Sequence, residues 1–184
     1  MRAVFLDRDG TINKEVDLLC SVDQLRILSG VAKAIRELNK LGFLVVIVTN
    51  QPVIARGWVK PKDVEYVHRV LLERLKKNGA HIDAVYYCPH HPKANLKKYR
   101  MACACRKPGI GMLSQAIKDF KITRAGSFMV GDTTTDILAG KRAKLKTILV
   151  KTGYAGKDEK YKVKPDFTAK NLHATVKIIK RHAK

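Results

Sequence analysis

The sequence predicts an α/β fold, a doubly wound parallel sheet with helices on both faces. Three observations lead there. Apolar, β-branched runs of strand length alternate with helix-periodic segments along most of the chain. The clearest of those runs, Phe43 to Val48, is apolar throughout, as expected of a strand covered on both sides. The polar residues with the richest chemistry fall just beyond the ends of such runs, where open α/β sheets bind their ligands.

The first strand is predicted near residues 2–6 and stops on Asp7 and Asp9 before a turn at Gly10. A polar loop follows, then a helix over about Val31–Lys40 and the strand Phe43–Val48, which together make a β-α-β unit. Apolar residues at Val64, Val67, Val70, Leu71 and Leu75 recur at helical spacing and predict a helix over Pro61–Lys77. Asn78-Gly79 then turns the chain into a strand over Ile82–Tyr87. Beyond an irregular stretch rich in Cys and His, a helix over about Ile110–Asp119 precedes a strand at Ser127–Val130. A helix at Thr135–Arg142 and a strand at Thr147–Val150 follow. Pro165–Phe167 reads as a short edge strand before a last helix over about Leu172–Arg181. A chain of 184 residues suits one α/β domain spanning 1–184 and is short for two.

Composition sets the outer limits. Hydrophobic residues at 46% with 29% charged belong to a globular chain, and no apolar run approaches the ~20 residues of a membrane-crossing helix. No leader pattern precedes the first strand, so a cytoplasmic location is expected, with a monomer as the default state. The formal net charge of +21 favours anionic partners: phosphorylated metabolites, nucleic acid or acidic membrane surfaces. The lysines scatter over several helices and loops without interleaved aromatics, which reads first as a solvated basic surface.

Residues two apart on a strand point the same way, so Asp7 and Asp9 can reach one small volume above the sheet. Two carboxylates that close call for a cation. With Mg²⁺ in place, one can attack phosphorus while the other exchanges a proton with the leaving group. Three further strand ends or loops complement them: Thr49, Asn50 and Gln51; Arg106 and Lys107; Gly131, Asp132 and Asp136. Together they offer a nucleophile, donors for phosphate oxygens, a cation and further metal-holding carboxylates, the parts that phosphoryl transfer needs.

Cys88, Cys103 and Cys105 with His90 form a second constellation, Cys-x-His followed by Cys-x-Cys, on a loop of about residues 88–106. Three thiolates and an imidazole suit tetrahedral Zn²⁺. A disulfide reading is poor, because three clustered cysteines cannot all pair and a Cys-x-Cys bridge is strained. His91 competes with His90 as the fourth ligand, and the sequence leaves that choice open.

On these residues the chain resembles the haloacid dehalogenase superfamily of aspartate-based phosphohydrolases, through Asp7-x-Asp9-Gly10-Thr11, Thr49, Lys107 and Gly131-Asp132-x-x-x-Asp136. The stretches LDRDGTIN, VTNQ, IARG, YYCPHHP, CxCRKP and MVGD are similar to the heptose 1,7-bisphosphate phosphatases and the related histidinol phosphatases. The resemblance implies a Rossmann-like core. It makes Asp7 the nucleophile that becomes an aspartyl phosphate, Asp9 the general acid and base, and Thr49 and Lys107 the grip on the phosphate. Mg²⁺ would be held by the Asp7 carboxylate, the Asp9 carbonyl and Asp132, with Asp136 further out. Structural Zn²⁺ would sit on Cys88, His90, Cys103 and Cys105. Asn50, Gln51, Arg106, Lys107 and Thr133 become expected substrate contacts.

The segments between Gly10 and Ser29 and between Asn50 and Lys107 leave no room for a large cap domain, so an open site is expected. The implied reaction is Mg²⁺-dependent removal of the 7-phosphate from D-glycero-D-manno-heptose 1,7-bisphosphate. Histidinol phosphate or another small sugar phosphate is one alternative, and a nucleic-acid 3′-phosphate is another, favoured by the basic charge. A non-catalytic, zinc-stabilised binding module is a further reading. The chain departs from the heptose pattern at Asp17-Leu18, at Pro52-Val53 and at Thr133, where a lysine is usual. Glu15, Asp17, Gln51, Arg56 and Thr133 are therefore the expected specificity residues.

Overall fold

The computed structural model describes residues 1–183. Six parallel strands, β1 (Ala3–Leu6), β2 (Leu44–Asn50), β3 (Ala84–Cys88), β4 (Phe128–Gly131), β5 (Lys146–Val150) and β6 (Phe167–Ala169), form one sheet. Their order is β3-β2-β1-β4-β5-β6. Five helices, α1 (Val31–Lys40), α2 (Pro61–Lys77), α3 (Gly111–Asp119), α4 (Thr134–Arg142) and α5 (Leu172–His182), cover it. Among the described residues no helix is long and apolar enough to cross a membrane.

Strand alternation divides the core in two. Val4, Leu6, Val45, Ile47, Phe128 and Val130 join the α1, α2 and α5 side, with Ile35, Leu38, Leu71 and Ile179. Ala3, Phe5, Val46, Val48 and Met129 join the other side, with Leu113, Ala116 and Ala139 of α3 and α4. Each of the large apolar side chains so buried contributes about 1.5–3 kcal/mol relative to exposure. The central strands are apolar at nearly every position because neither of their faces meets water.

The expected elements are present, with ends set by their partners. The second strand runs on through Thr49 and Asn50 because these pair with Tyr87 and Cys88 of β3, which correspondingly starts at Ala84 and not at Ile82. The last strand covers Phe167–Ala169 and not Pro165–Phe167, since its register partners are Ile148 to Val150. Proline at position 61 opens α2, and the Asp63 carboxylate accepts from the Lys60 N–H at 2.8 Å.

The chain winds from β1 to β2 and β3 on one side, then returns to β4 on the other side of β1. The crevice at this topological switch lies beyond the carboxyl ends of β1 and β4, where Asp7 and Asp132 follow directly. The Asp7 N–H still donates to the Val130 carbonyl at 2.9 Å, so the nucleophile candidate is part of the sheet's own ladder. No large cap intervenes: the segment between β1 and α1 holds only a 3-10 turn at Val22–Gln24 and two isolated bridges. A second 3-10 turn, Lys97–Tyr99, lies in the Cys/His loop between β3 and α3.

Candidate active site and metal centres

Asp7, Asp132 and Asp136 each bring a carboxylate oxygen within 4.8 Å of the others. Lys107 faces them from the loop before α3. Its ammonium lies 2.7 Å from Asp7 Oδ1, 2.6 Å from Asp136 Oδ1 and 2.7 Å from the Val48 carbonyl, so its three hydrogens are all used. The carboxylates hold the lysine charged, well above its usual range, against the opposing effect of burial. Three buried acids against one ammonium leave a deficit of two positive charges when all are ionised. Burial, outweighing Lys107, pushes Asp7 up to about 7, and burial with Asp7 and Asp136 nearby pushes Asp132 up to about 9.

Asp132 carries the clearest sign of a missing partner. Its Oδ2 accepts from the Tyr154 N–H at 2.7 Å, whereas its fully buried Oδ1 has no hydrogen-bond partner among the described residues. A lone buried carboxylate oxygen beside another carboxylate, with a divalent charge deficit, is a fit for a hard divalent cation. Two glycines make the approach sterically feasible. Gly10 and Gly153 both have positive φ, +76° and +60°, and a Cβ on either would stand 2.2 or 2.1 Å from Asp132 Oδ2.

Asp136, expected at the outer edge of the metal, converges with Asp7 and Asp132 and also caps α4. Its Oδ2 accepts from the Thr133 hydroxyl at 2.6 Å and the Thr133 N–H at 3.1 Å, closing a capping box on α4, while Oδ1 receives Lys107. Thr133 thus directs its hydroxyl to the helix cap. Asn50 is likewise occupied: it accepts from the Lys107 N–H at 3.0 Å and donates to the Lys107 carbonyl at 3.1 Å, fixing the backbone that aims the ammonium.

Asp9 sits in different surroundings. Arg8 grips both its oxygens at 2.8–3.1 Å, and Asn13 and Gln51 donate to it at 2.8 and 3.0 Å. These donors outweigh burial and hold the carboxyl below its usual range. Gln51 also donates to the Thr49 hydroxyl at 2.9 Å, tying the end of β2 to Asp9. Arg8, itself buried, reaches His68 of α2 at 3.0 Å. Arg8, Asn13 and His68 are not among the residues that the sequence motifs single out. Signals for two of them existed: an arginine between two acids at a strand end, and a histidine on the helical stripe of Val64, Leu71 and Leu75.

Asp7, Asp9, Thr49, Asn50, Gln51, Lys107 and Asp136 line a cleft of about 170 Å³ with Glu15, Asp17, Pro52, Val53, Arg106, Thr133, Tyr154 and Lys160. Burial and the nearby Asp9 and Asp7 push Glu15 up to about 7. The Tyr154 hydroxyl donates to Asp17 at 3.0 Å, and Arg106 donates to the His90 carbonyl at 3.1 Å. Arg56 does not line the cleft and lies over the Trp58 ring. A larger cleft, about 650 Å³, lies between α1 and the end of α2, but it contains no acid or thiol and none of the residues above.

The Cys/His loop converges as expected. Cys88, His90, Cys103 and Cys105 bring their sulfur and Nδ1 atoms within 4.8 Å, and the cysteines are free thiols. Neighbouring ligand atoms are 2.9–3.8 Å apart, the S···S pairs lying tighter than the roughly 3.8 Å edge of a tetrahedron with metal–sulfur bonds of about 2.3 Å. The imidazole that faces the sulfurs is that of His90; His91 Nδ1 accepts from the Lys93 N–H at 3.1 Å instead. The cluster can hold a metal ion.

A six-stranded parallel sheet with aspartates at the ends of the two strands flanking its switch point, a buried lysine between them and no cap defines a haloacid dehalogenase-type phosphatase. A family model described as HAD-hydrolase-like matches residues 104–175. The chain is 44% identical over 153 residues to the D-glycero-β-D-manno-heptose-1,7-bisphosphate 7-phosphatase of Pasteurella multocida, with 83% of each chain covered. It is 42% identical over 152 residues to the Escherichia coli K12 enzyme of that name, covering 82% of this chain and 80% of the other. The structure of the D,D-heptose 1,7-bisphosphate phosphatase from B. bronchiseptica with magnesium and phosphate superposes with a TM-score of 0.87. The identity there is 29%, over 98% of this chain and 99% of that one. The chain belongs to the heptose-bisphosphate phosphatase family within the haloacid dehalogenase superfamily.

Proposed function

We propose that this protein is a Mg²⁺-dependent phosphomonoesterase that removes the 7-phosphate of D-glycero-β-D-manno-heptose 1,7-bisphosphate. The observation that carries the reading is the buried, unpartnered Oδ1 of Asp132 beside Asp7 in a crevice short of two positive charges. Asp7, Asp132 and the backbone carbonyl of Asp9 would hold the ion; the Asp9 carboxylate, occupied by Arg8, Asn13 and Gln51, is directed elsewhere. When bound, Mg²⁺ supplies charge neutralisation that lets an anionic nucleophile meet a phosphate dianion.

The chain's own groups divide the rest. Asp7 Oδ attacks phosphorus and the P–O bond to the sugar breaks; Asp9, which takes up a proton from solvent beforehand against the donors that favour its ionised form, delivers that proton to the departing oxygen. Asp9 then takes a proton from water as that water attacks the aspartyl phosphate, which releases inorganic phosphate and restores Asp7. Lys107, already within 2.7 Å of Asp7, and the Thr49 hydroxyl stabilise charge on the transferring group. A cleft of about 170 Å³ is smaller than the roughly 300–1,000 Å³ that enclose whole ligands, so it grips the phosphate and leaves the sugar at the rim. There Arg106 and Lys160 offer cations for a second phosphate, and Lys160 supplies by a later loop the charge that Thr133 does not. Zn²⁺ on Cys88, His90, Cys103 and Cys105 would fix the loop that delivers Arg106 and Lys107.

Phosphate release is the test, measured with Mg²⁺ on both anomers of the heptose bisphosphate, histidinol phosphate, simple sugar phosphates and 3′-phosphorylated DNA. The expected order puts the β-anomer first in kcat/KM, by about tenfold or more over each competitor. Preference for the DNA end would replace the sugar reading and make the +21 charge functional.

A further inference from the structure

Arg8 is among the largest fully buried side chains of the protein. A buried guanidinium costs several kcal/mol of lost hydration, and an apolar residue would fill the space with less penalty. What it gives in return is geometry. Its planar fork holds Asp9 through Nε and Nη2, and its other edge is held in turn: Nη2 donates to Gln51 Oε1 at 3.1 Å, and Nη1 meets His68 Nε2 at 3.0 Å. Arginine has hydrogens to give and no acceptor, so His68 Nε2 must accept. His68 is therefore the neutral imidazole with its proton on Nδ1. Burial and the adjacent Arg8 charge agree, pushing its conjugate acid down to about 3. The ring is held by α2 and by Tyr87, packed edge-on at 5.6 Å, whose hydroxyl donates to Glu65 at 3.0 Å.

We propose that His68 is a positioning residue for proton transfer by Asp9, acting through Arg8. The inference rests on the phosphomonoesterase reading, in which Asp9 protonates the leaving oxygen. Asp9 lies beyond the last ladder bond of β1; an isolated bridge to Asn13 ties its backbone, and the direction of its carboxylate is set by side-chain donors. Arg8 gives three of the five hydrogen bonds to that carboxylate, Asn13 and Gln51 the other two; Arg8 keeps its share only while its own rotation is blocked, and His68 is the acceptor on its far edge. Without an acceptor at position 68, Nη1 is left unpaired in a dry site and the fork turns toward other partners. Asp9 then meets the leaving oxygen in a broader range of poses, while Asp7, Lys107 and Asp132 are untouched.

The test uses two esters that differ in their need for an acid. An alkyl phosphate such as glycerol phosphate must have its leaving oxygen protonated, whereas p-nitrophenolate departs as the anion. For each, kcat/KM reports the steps up to leaving-group departure. His68→Leu should lower kcat/KM on the alkyl ester by about tenfold and on the aryl ester by less than about twofold. His68→Gln, which keeps an acceptor oxygen, should restore most of the alkyl activity. Arg8→Lys, which keeps the charge and loses the fork, should show the same bias and carries the test if the leucine variant does not fold. Asp9→Asn separates the two layers: it should show the bias most strongly, and an equal loss on both esters there would overturn the role of Asp9 itself. If Asp9→Asn is biased but His68→Leu and Arg8→Lys lose equally on both esters, or lose nothing, the positioning role is wrong.

Discussion

Among the described residues, metal-ligating side chains converge within 4.8 Å in two places, and these are built on opposite principles. In the crevice the groups are oxygens, their number falls short of a full shell, and a lysine shares them. Asp7 and Asp132 hang from the ends of β1 and β4, whose ladder fixes them before any ion arrives, and Asp136 projects from the first turn of α4. In the Cys88–Cys105 loop the groups are three sulfurs and one nitrogen, a complete tetrahedral set, and the chain carrying them has almost no regular structure of its own. The difference teaches what each site asks of the fold. A metal that must share its shell with a substrate needs rigid walls and a gap, while one that replaces missing secondary structure needs only a full set of soft ligands.

The hardest break of this contrast is at Asp7. Asp7→Asn should reduce kcat by a factor on the order of 10⁴ or more if Asp7 is the nucleophile proposed above, while the metal content of the Cys/His loop stays unchanged. Its melting temperature should hold or rise, because an acid whose ionised form is disfavoured by burial is gone. Loss of folding would show instead that the crevice, too, is structural.

The converse break is Cys103→Ser. Zinc measured in freshly purified protein should fall from about one per chain to near zero, and stability should drop by about 2 kcal/mol or more, roughly 4–8 °C in Tm. The residual activity should rise or fall with the loop's order, through Arg106 and Lys107, with Mg²⁺ still required. A variant equally stable and equally active would remove the structural role from the loop metal.

A finer separation comes from pH. Asp7 and Asp132 have folded pKa values of about 7 and 9, raised above the ordinary 3.8. Raised values mean that their contribution to stability is complete below about pH 4 and is lost as pH climbs through 7 and then 9. Metal-stripped protein should therefore lose stability from these groups between pH 5 and 9, and added Mg²⁺ should restore more at pH 8.5 than at pH 5.5. Melting curves with and without Mg²⁺ at the two pH values measure this. Equal Mg²⁺ shifts at both would mean the ion is not bound by these carboxylates.

The alternation of strand and helix, the two-sided burial of β2 and the placing of Asp7, Asp132 and Lys107 at the crevice were legible in the residues alone. So was the Cys/His cluster, because its ligands lie close in the chain and few other structures use those residue types at that spacing. The hydrogen-bond partners of Asn50, Thr133 and Asp136 were not. All three are polar residues at strand or helix ends near a phosphate-type motif, and each turns out to be bonded to Lys107 or to the α4 cap. A polar side chain has one set of hydrogen bonds to give, and the sequence does not say which neighbour is nearest.

What the sequence determined by itself was therefore whatever is encoded by local periodicity or by short spacing: the layers of the fold, the carboxylate pair and the loop ligands. How residues far apart in the chain share protons and charge was settled by the packing of separate elements. The choice of His90 over His91, the Tyr154 N–H on Asp132 and the line from His68 through Arg8 to Asp9 are of this kind. They follow from directions and distances of about 3 Å between separate elements, which arise only when the sheet and its helices have packed.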